Sequence, residues 1–384
     1  MDPILIIGSG LAGYGVAREL RKLAPDIALT MISADAGDFY SKPKLSTALA
    51  HGKQPPELVT STAATMATQH AMTILPYTRV HTIDPARHVV ETEKGKIAYA
   101  KLILALGAEP MRAPVGGDAG DSVVTVNSLA EYTVFRERLA DAGNVAIIGG
   151  GLIGSEFAND LCAAGIAVTV IEATNWPLSS LVPRAVGDAL AAALGRAGVE
   201  WRFGRKAVTV DGAVRGYDVR LDDGEILPAD LVLSAIGLRP HVALAASAGL
   251  SIARGIVVDS TGATSNPDIF ALGDCAQYPN GNHCYITPIM TAARAIARSA
   301  LATPTHMAFP ALSVLVKTTS YPIVLAAPNG VEGEWGAPEG DENGLTARFH
   351  AADGRSAGYV LSGDKVGLRG EFDRDLVSAA AMLS

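Results

Sequence analysis

The chain opens on four apolar residues, Ile4-Leu5-Ile6-Ile7. A run with no polar position has no solvent face, so it predicts a strand covered on both sides, as in a parallel sheet. Gly8-Ser9-Gly10-Leu11-Ala12-Gly13 follows, then a helical stretch to about Ala24 that Pro25 cannot continue. Ile27 to Ser33 predicts the next strand. The same pattern returns 141 residues later. Val145-Ala146-Ile147-Ile148 is the strand and Gly149-Gly150-Gly151-Leu152-Ile153-Gly154 the turn. A helix runs to about Gly165, a C-cap by type, and Val168 to Glu172 is the second strand.

Other segments fit around this duplicated unit. Val80 to Ile97 predicts antiparallel strands turning at Asp84-Pro85 and Lys94-Gly95, and Val208 to Leu227 a meander turning at Asp222-Asp223-Gly224. Leu102 to Leu106 and Leu231 to Ile236 read as buried strands, and Ile269 to Leu272 precedes Gly273-Asp274. Pro288 to about Ala302 predicts a helix with Ile289, Ala293 and Ile296 as its apolar positions. From Phe309 the chain reads as short strands, closing on a helix near Asp373 to Met382.

Composition narrows the class. A length of 384 residues predicts two or three domains, at roughly 100–200 residues each. With 49% hydrophobic and 18% charged residues, intrinsic disorder is excluded. No apolar run approaches the ~18 residues of a membrane span. Met1-Asp2-Pro3 lacks the basic start of a secretory leader, so a cytoplasmic location is expected. A net charge of −8 argues against nucleic acid as a partner, since phosphate contacts need clustered Lys and Arg. The three cysteines, Cys162, Cys275 and Cys284, are too few for a disulfide framework and form no Cys-x-x-Cys or Cys-x4-Cys pair.

The duplicated turn carries the chemistry. The first glycine permits the tight turn, the second lets backbone approach a pyrophosphate, and the third lets helix pack on strand, with the helix N-terminus aimed at the phosphates. Glu172 ends the following strand 21 residues after Gly151. An acid there accepts from a ribose 2′-hydroxyl and repels a 2′-phosphate. Ala173-Thr174-Asn175-Trp176-Pro177 adds no cation, which favours NADH over NADPH; a strand-end glutamate in solvent is the plain alternative. In the first unit no acid sits at that place. Either Asp35 reaches back, or Ser33 and Ala34 line the ribose with backbone.

Further motifs carry a resemblance. Thr264-Ser265-Asn266-Pro267-Asp268-Ile269-Phe270-Ala271-Leu272-Gly273-Asp274 resembles the second FAD fingerprint of flavoprotein reductases with two dinucleotide domains. Leu104-Ala105-Leu106-Gly107-Ala108-Glu109-Pro110 and Gly237-Leu238-Arg239-Pro240 resemble their two domain crossings. Within that superfamily the chain is most similar to rubredoxin–NAD reductases and flavorubredoxin reductases. Tyr40-Ser41-Lys42-Pro43-Lys44-Leu45-Ser46, Gly151 to Asp160, Gly273-Asp274-Cys275-Ala276 and Val316-Lys317-Thr318 carry this similarity. Thr47 departs from the wider ferredoxin-reductase pattern, which usually has a Lys there.

The resemblance implies an α/β fold with two Rossmann-like domains. The FAD-binding domain is split over 1–110 and 241–308, the NAD-binding domain 111–240 is inserted between its halves, and a small α+β domain spans 309–384. It implies that Lys42, Val80, Glu156, Asp274, Ile286 and Lys317 touch FAD, with Pro43, Ala105, Gly107 and Gly273 beside them. It assigns Gly149, Gly151, Leu152, Ile153, Gly154, Glu172 and Gly237 to NADH. Lys42, Glu156 and Lys317 are the flavin-side catalytic candidates; a surface role for the lysines and dipole complementation for Glu156 are the plain alternatives.

With no cysteine pair there is no covalent shuttle, and no metal is expected. The implied activity is NADH-dependent reduction of a small acidic one-electron iron protein, rubredoxin, by a monomer. Ferredoxin, flavorubredoxin or a haem protein as acceptor, an NADH oxidase, and a redox-sensing dinucleotide-binding protein remain as alternatives. Two acidic partners repel, so docking is expected to use a positive rim drawn from Lys42, Lys44, Lys53, Arg294, Arg298 and Lys317.

Overall fold

The computed structural model describes residues 2–279, 281, 285–309, 313–328 and 331–381. Cys284 and Met382 lie outside the described residues. The chain forms two compact units, Met1–Ser41 with Val59–Glu109 and Arg239–Phe309, and Lys42–Leu58 with Pro110–Leu238 and Pro310–Ser384.

The first unit is built on a five-stranded parallel sheet in the order Ile269–Ala271, Lys101–Leu104, Ile4–Ile7, Leu29–Ile32, Thr73–Leu75. Ile4–Ile7 is buried along its whole length, as its composition requires. The register pairs Ile4 with both Leu29 and Lys101, so this strand is central and its outgoing turn sits mid-sheet. That is where doubly wound sheets bind ligands. Helices Leu11–Leu23 and Ile286–Ala300 pack through small residues: a β-carbon on Gly15 would stand 3.4 Å from that of Ala293. An antiparallel sheet of Val80–Asp84, Val89–Thr92 and Gly95–Ala98 belongs to the same unit.

The second unit repeats the theme. Its parallel sheet runs Val199–Phe203, Ala167–Glu172, Asn144–Ile148, Leu231–Ser234. Beside it lies an antiparallel sheet of Ala207–Gly212, Tyr217–Leu221 and Ile226–Ala229. The C-terminal part is an antiparallel sheet centred on Gly344–Ala351 and Ser356–Ser362, with helix Arg369–Ala381 packed on it. Val324, Tyr359, Leu361, Phe372 and Leu376 form that core. Among the described residues no helix is long and apolar enough to cross a membrane.

Several boundaries differ from the sequence reading. Residues 42–58 were expected beside the first glycine turn, yet they group with the second unit. Among the bonds that tie them there are two to a buried carboxylate: Asp160 accepts the Leu49 N–H at 3.1 Å and the Ala50 N–H at 2.9 Å. Residues 310–384 cluster with the same unit, yet their own sheet and core are those of the small C-terminal α+β domain expected. The helix expected from Pro288 starts at Ile286, since proline is tolerated in a first turn. The last helix starts at Arg369, four residues before Asp373. Helix Leu129–Leu139 was not anticipated, although Ser128 and Glu131 form a capping box: Ser128 Oγ accepts the Glu131 N–H at 3.1 Å and donates to Glu131 Oε2 at 3.0 Å.

Candidate functional site

At the first turn each glycine has a separate reason. Gly8 has φ +113°, and a β-carbon there would fall 2.2 Å from the Ala105 carbonyl oxygen. On Gly13 it would fall 1.9 Å from the Gly8 carbonyl oxygen. These two are demanded by the protein's own packing. Gly10 is not: a β-carbon there would meet no atom within 4 Å. It is the cradle that a pyrophosphate needs in front of the N–H groups of Leu11, Ala12 and Gly13. Asp35 does fold back toward this turn. Its Oδ1 accepts from Ser33 Oγ at 2.5 Å, Ser9 Oγ at 3.3 Å and the Gly37 N–H at 2.9 Å. Ser33 is buried and Ala34 exposed. Gly273, at φ +77°, brings its Cα against Ala12: a β-carbon would stand 3.1 Å from Ala12 Cβ. The half-buried Asp274 is thereby carried to the same sheet end.

The second turn repeats this geometry. Gly149 has φ +105°, and a β-carbon would be 2.7 Å from the Ala235 carbonyl oxygen; on Gly154 it would be 1.9 Å from the Gly149 carbonyl oxygen. Gly151, like Gly10, faces open space, ahead of Leu152 and Ile153 in the helix Leu152–Ala163. Glu172 Oε2 accepts the Gly150 N–H at 2.6 Å, and Oε1 accepts both the N–H and hydroxyl of Thr174 at 2.8 Å. Its carboxylate is thus held against the turn rather than loose in solvent.

A buried polar cluster lies further along that helix. Glu156 is only 1% exposed, so it is not a solvated first-turn charge complementing the dipole. Its Oε2 accepts from Ser46 Oγ at 2.5 Å and pairs with the Lys317 ammonium, while Oε1 accepts the Lys317 N–H at 3.0 Å. One turn on, Asn159 Nδ2 donates to Thr319 Oγ1 at 3.1 Å and its Oδ1 accepts the Ser320 N–H at 3.2 Å. Burial pushes the Asp160 carboxyl up, opposed by the two N–H groups it accepts. Glu156, Asn159 and Asp160 therefore fasten residues 46–50 and 317–320 to one helix. Ser46, Asn159 and Asp160 went unassigned from sequence. The i, i+3, i+4 spacing of Glu156, Asn159 and Asp160 in a mostly apolar helix was the available signal.

The remaining candidates are placed as follows. Lys42 and Val80 are half-buried, Pro43 is exposed and Ala105 buried. Ile286 is exposed at the start of its helix. Gly107, at φ +70°, accepts the His241 N–H at 3.0 Å; Gly237, at φ +122°, accepts the Met111 N–H at 2.9 Å. Of the rim cations, Lys317 is taken up by Glu156, and Lys53 lies 3.7 Å from Glu57. Lys44, Arg294 and Arg298 are exposed. Cys275 is fully buried and its thiol is pushed up to about 11. Burial likewise raises Cys162. Neither is a nucleophile near neutral pH.

The structure also shows what sequence did not. The strand Val199–Phe203 pairs Phe203 with Glu172 and brings Trp201 against the turn, 3.1 Å from where a Gly150 β-carbon would stand. Arg205 follows, and its N–H donates to the Glu172 carbonyl at 3.2 Å. A cation is thus at hand beside the acid, although none follows it in sequence.

Residues 2–298 match the family described as pyridine nucleotide-disulphide oxidoreductase, and residues 306–376 match the rubredoxin binding C-terminal domain. The rubredoxin-NAD(+) reductase of Acinetobacter baylyi is 42% identical over 376 residues, 96% of this chain and 95% of its own. The nitric oxide reductase FlRd-NAD(+) reductase of Aeromonas salmonicida is 38% identical over 365 residues, 94% of this chain and 93% of its own. Among solved structures, putidaredoxin reductase in its covalent complex with putidaredoxin superposes with a TM-score of 0.89. That likeness covers 98% of this chain and 93% of the other at 24% identity, and is one of fold.

Proposed function

Because the chain belongs to the pyridine nucleotide-disulphide oxidoreductase family, in its rubredoxin–NAD(+) reductase branch, we propose that it passes electrons from NADH through bound FAD to rubredoxin. The observation that carries this reading is the coexistence in one chain of two dinucleotide turns and a C-terminal segment matching a rubredoxin binding domain. FAD supplies what no side chain here can, the conversion of a two-electron hydride into single electrons for an iron centre.

The residues present fit such a cofactor. The Gly8–Gly13 turn takes the FAD pyrophosphate at a helix N-terminus, with Asp35, aligned by Ser9 and Ser33, toward the adenosine ribose. Asp274 takes the ribityl chain. The Gly149–Gly154 turn takes the pyrophosphate of NADH, and Glu172 accepts from its 2′-hydroxyl. Lys42, Glu156 and Lys317, with Pro43, Val80, Ala105, Gly107, Gly237, Gly273 and Ile286, are proposed to orient the two rings. Lys317 pairs with Glu156, so the buried carboxylate is not left as an uncompensated charge. Among the described residues, the raised Cys275 thiol and Cys162, whose Sγ donates to the Ala197 carbonyl, leave no thiol to carry electrons.

The test mixes FAD-loaded protein with NADH and purified rubredoxin. Expected are flavin bleaching by NADH faster than turnover, reduction of the rubredoxin iron, and a kcat/KM for NADH at least about tenfold above NADPH, about 1.4 kcal/mol. Bleaching followed only by oxygen consumption identifies an oxidase instead. A second reading, flavorubredoxin as acceptor, is favoured by the Aeromonas salmonicida relative and is read in the same assay.

A further inference from the structure

Glu172 has a cation beside it that the chain supplies 33 positions later. Phe203 pairs with Glu172 across the sheet, Gly204 turns the chain at φ +63°, and the Gly204 N–H donates to the Thr174 carbonyl at 2.9 Å. The Arg205 N–H then reaches the Glu172 carbonyl at 3.2 Å. Its guanidinium is engaged elsewhere: Arg205 Nε lies 2.6 Å from Asp223 Oδ2. Asp223 is itself held in the turn between Tyr217–Leu221 and Ile226–Ala229, where its Oδ1 accepts the Glu225 N–H at 3.0 Å. Arg202, the cation on the strand itself, is committed to Glu225 at 3.0 Å and Glu200 at 3.4 Å. The acid at a strand end selects a ribose 2′-hydroxyl, and an arginine in the same neighbourhood accommodates a 2′-phosphate. Here both are present, and a second acid holds the arginine.

We propose that Arg205 and Asp223 are specificity-determining residues: Asp223 withholds Arg205 from the ribose edge that Glu172 occupies, so the chain carries a 2′-phosphate subsite in latent form. This rests on the NADH reading above. The Arg205–Asp223 pair is 44% and 33% exposed. A pair so exposed is weakly held, so losing Asp223 frees the guanidinium without dismantling the sheet.

The experiment uses FAD-loaded protein and measures kcat/KM with NADH and NADPH, plus inhibition by 2′,5′-ADP and by 5′-AMP. Glu172→Ala raises the NADPH/NADH ratio. Adding Asp223→Asn raises it by about two- to fivefold more and tightens inhibition by 2′,5′-ADP but not by 5′-AMP. Adding Arg205→Ala to that pair cancels the second gain and leaves the first. If Asp223→Asn loses its flavin spectrum, Asp223→Ser is read the same way. The proposal is overturned if the Asp223 change adds nothing, or if its gain survives loss of Arg205. A wild-type enzyme that uses both nucleotides equally refutes the NADH reading itself, an outcome distinct from a silent Arg205.

Discussion

Lys317→Met isolates the buried charge at the centre of the second unit. Glu156 is 1% exposed and, among the described residues, has three polar partners: Ser46 Oγ, the Lys317 N–H and the Lys317 ammonium. Methionine removes the only cation among them and keeps the stem's packing. Stranding one member of a buried pair costs about 3–5 kcal/mol. Two facts lower this. The Lys317 side chain is 28% exposed, so water reaches the ammonium position, and two hydrogen bonds to the carboxylate remain. The expected cost is therefore about 2–3 kcal/mol. At about 2–4 °C per kcal/mol, the melting temperature of the second unit should fall by about 4–12 °C. Glu156→Gln alone should cost about 1 kcal/mol, because the lysine it leaves can reach solvent. The double variant removes both charges and should cost about 1–2 kcal/mol, less than the sum of the singles. Tryptophan fluorescence is the assay: Trp176, Trp201 and Trp335 are the chain's three tryptophans and all fall in this unit, so thermal unfolding of the flavin-free protein reports it alone. A Lys317→Met variant within about 1 °C of wild type, or strictly additive singles, refutes the account of the pair.

Two further outcomes follow from the geometry. Gly10→Ala should leave the melting temperature of flavin-free protein unchanged, since its β-carbon meets nothing, yet weaken FAD retention by about tenfold or more; Gly13→Ala should fail to fold, with a β-carbon 1.9 Å from a carbonyl oxygen, and equilibrium dialysis beside thermal melts distinguishes them. Cys275 should resist iodoacetamide in the folded protein at pH 8: with its thiol near 11, about one molecule in a thousand is thiolate, and mass spectrometry of the alkylated protein checks this. The sign is that of an acid raised by burial. The folded state holds the proton more tightly than the unfolded chain does, so this stability is present below the ordinary thiol value of 9.0 and lost as pH rises toward 11.

Both glycine turns were legible because everything that defines them is local. An apolar run, a glycine that must take positive φ, a glycine under a carbonyl and a helix start all fall within about ten residues. Glu172 was legible for the same reason, at a spacing set by one helix and one strand. The order of the motifs along the chain then implied the nested fold. Tertiary structure alone decided the partners of the polar groups between the turns. Glu156 meets Ser46 from 110 positions away and Lys317 from 161. Asp160 draws residues 49 and 50 out of the unit that their place in the chain suggests. Arg205 comes to Glu172 only because the sheet pairs Phe203 with it in one register. A shift of one residue would have turned Trp201 and Phe203 to the other face and taken Arg205 out of place. Such pairings depend on which distant strands and loops share a buried surface. Residues close in sequence carry no record of that, because burial and register are set by the packing of the whole unit.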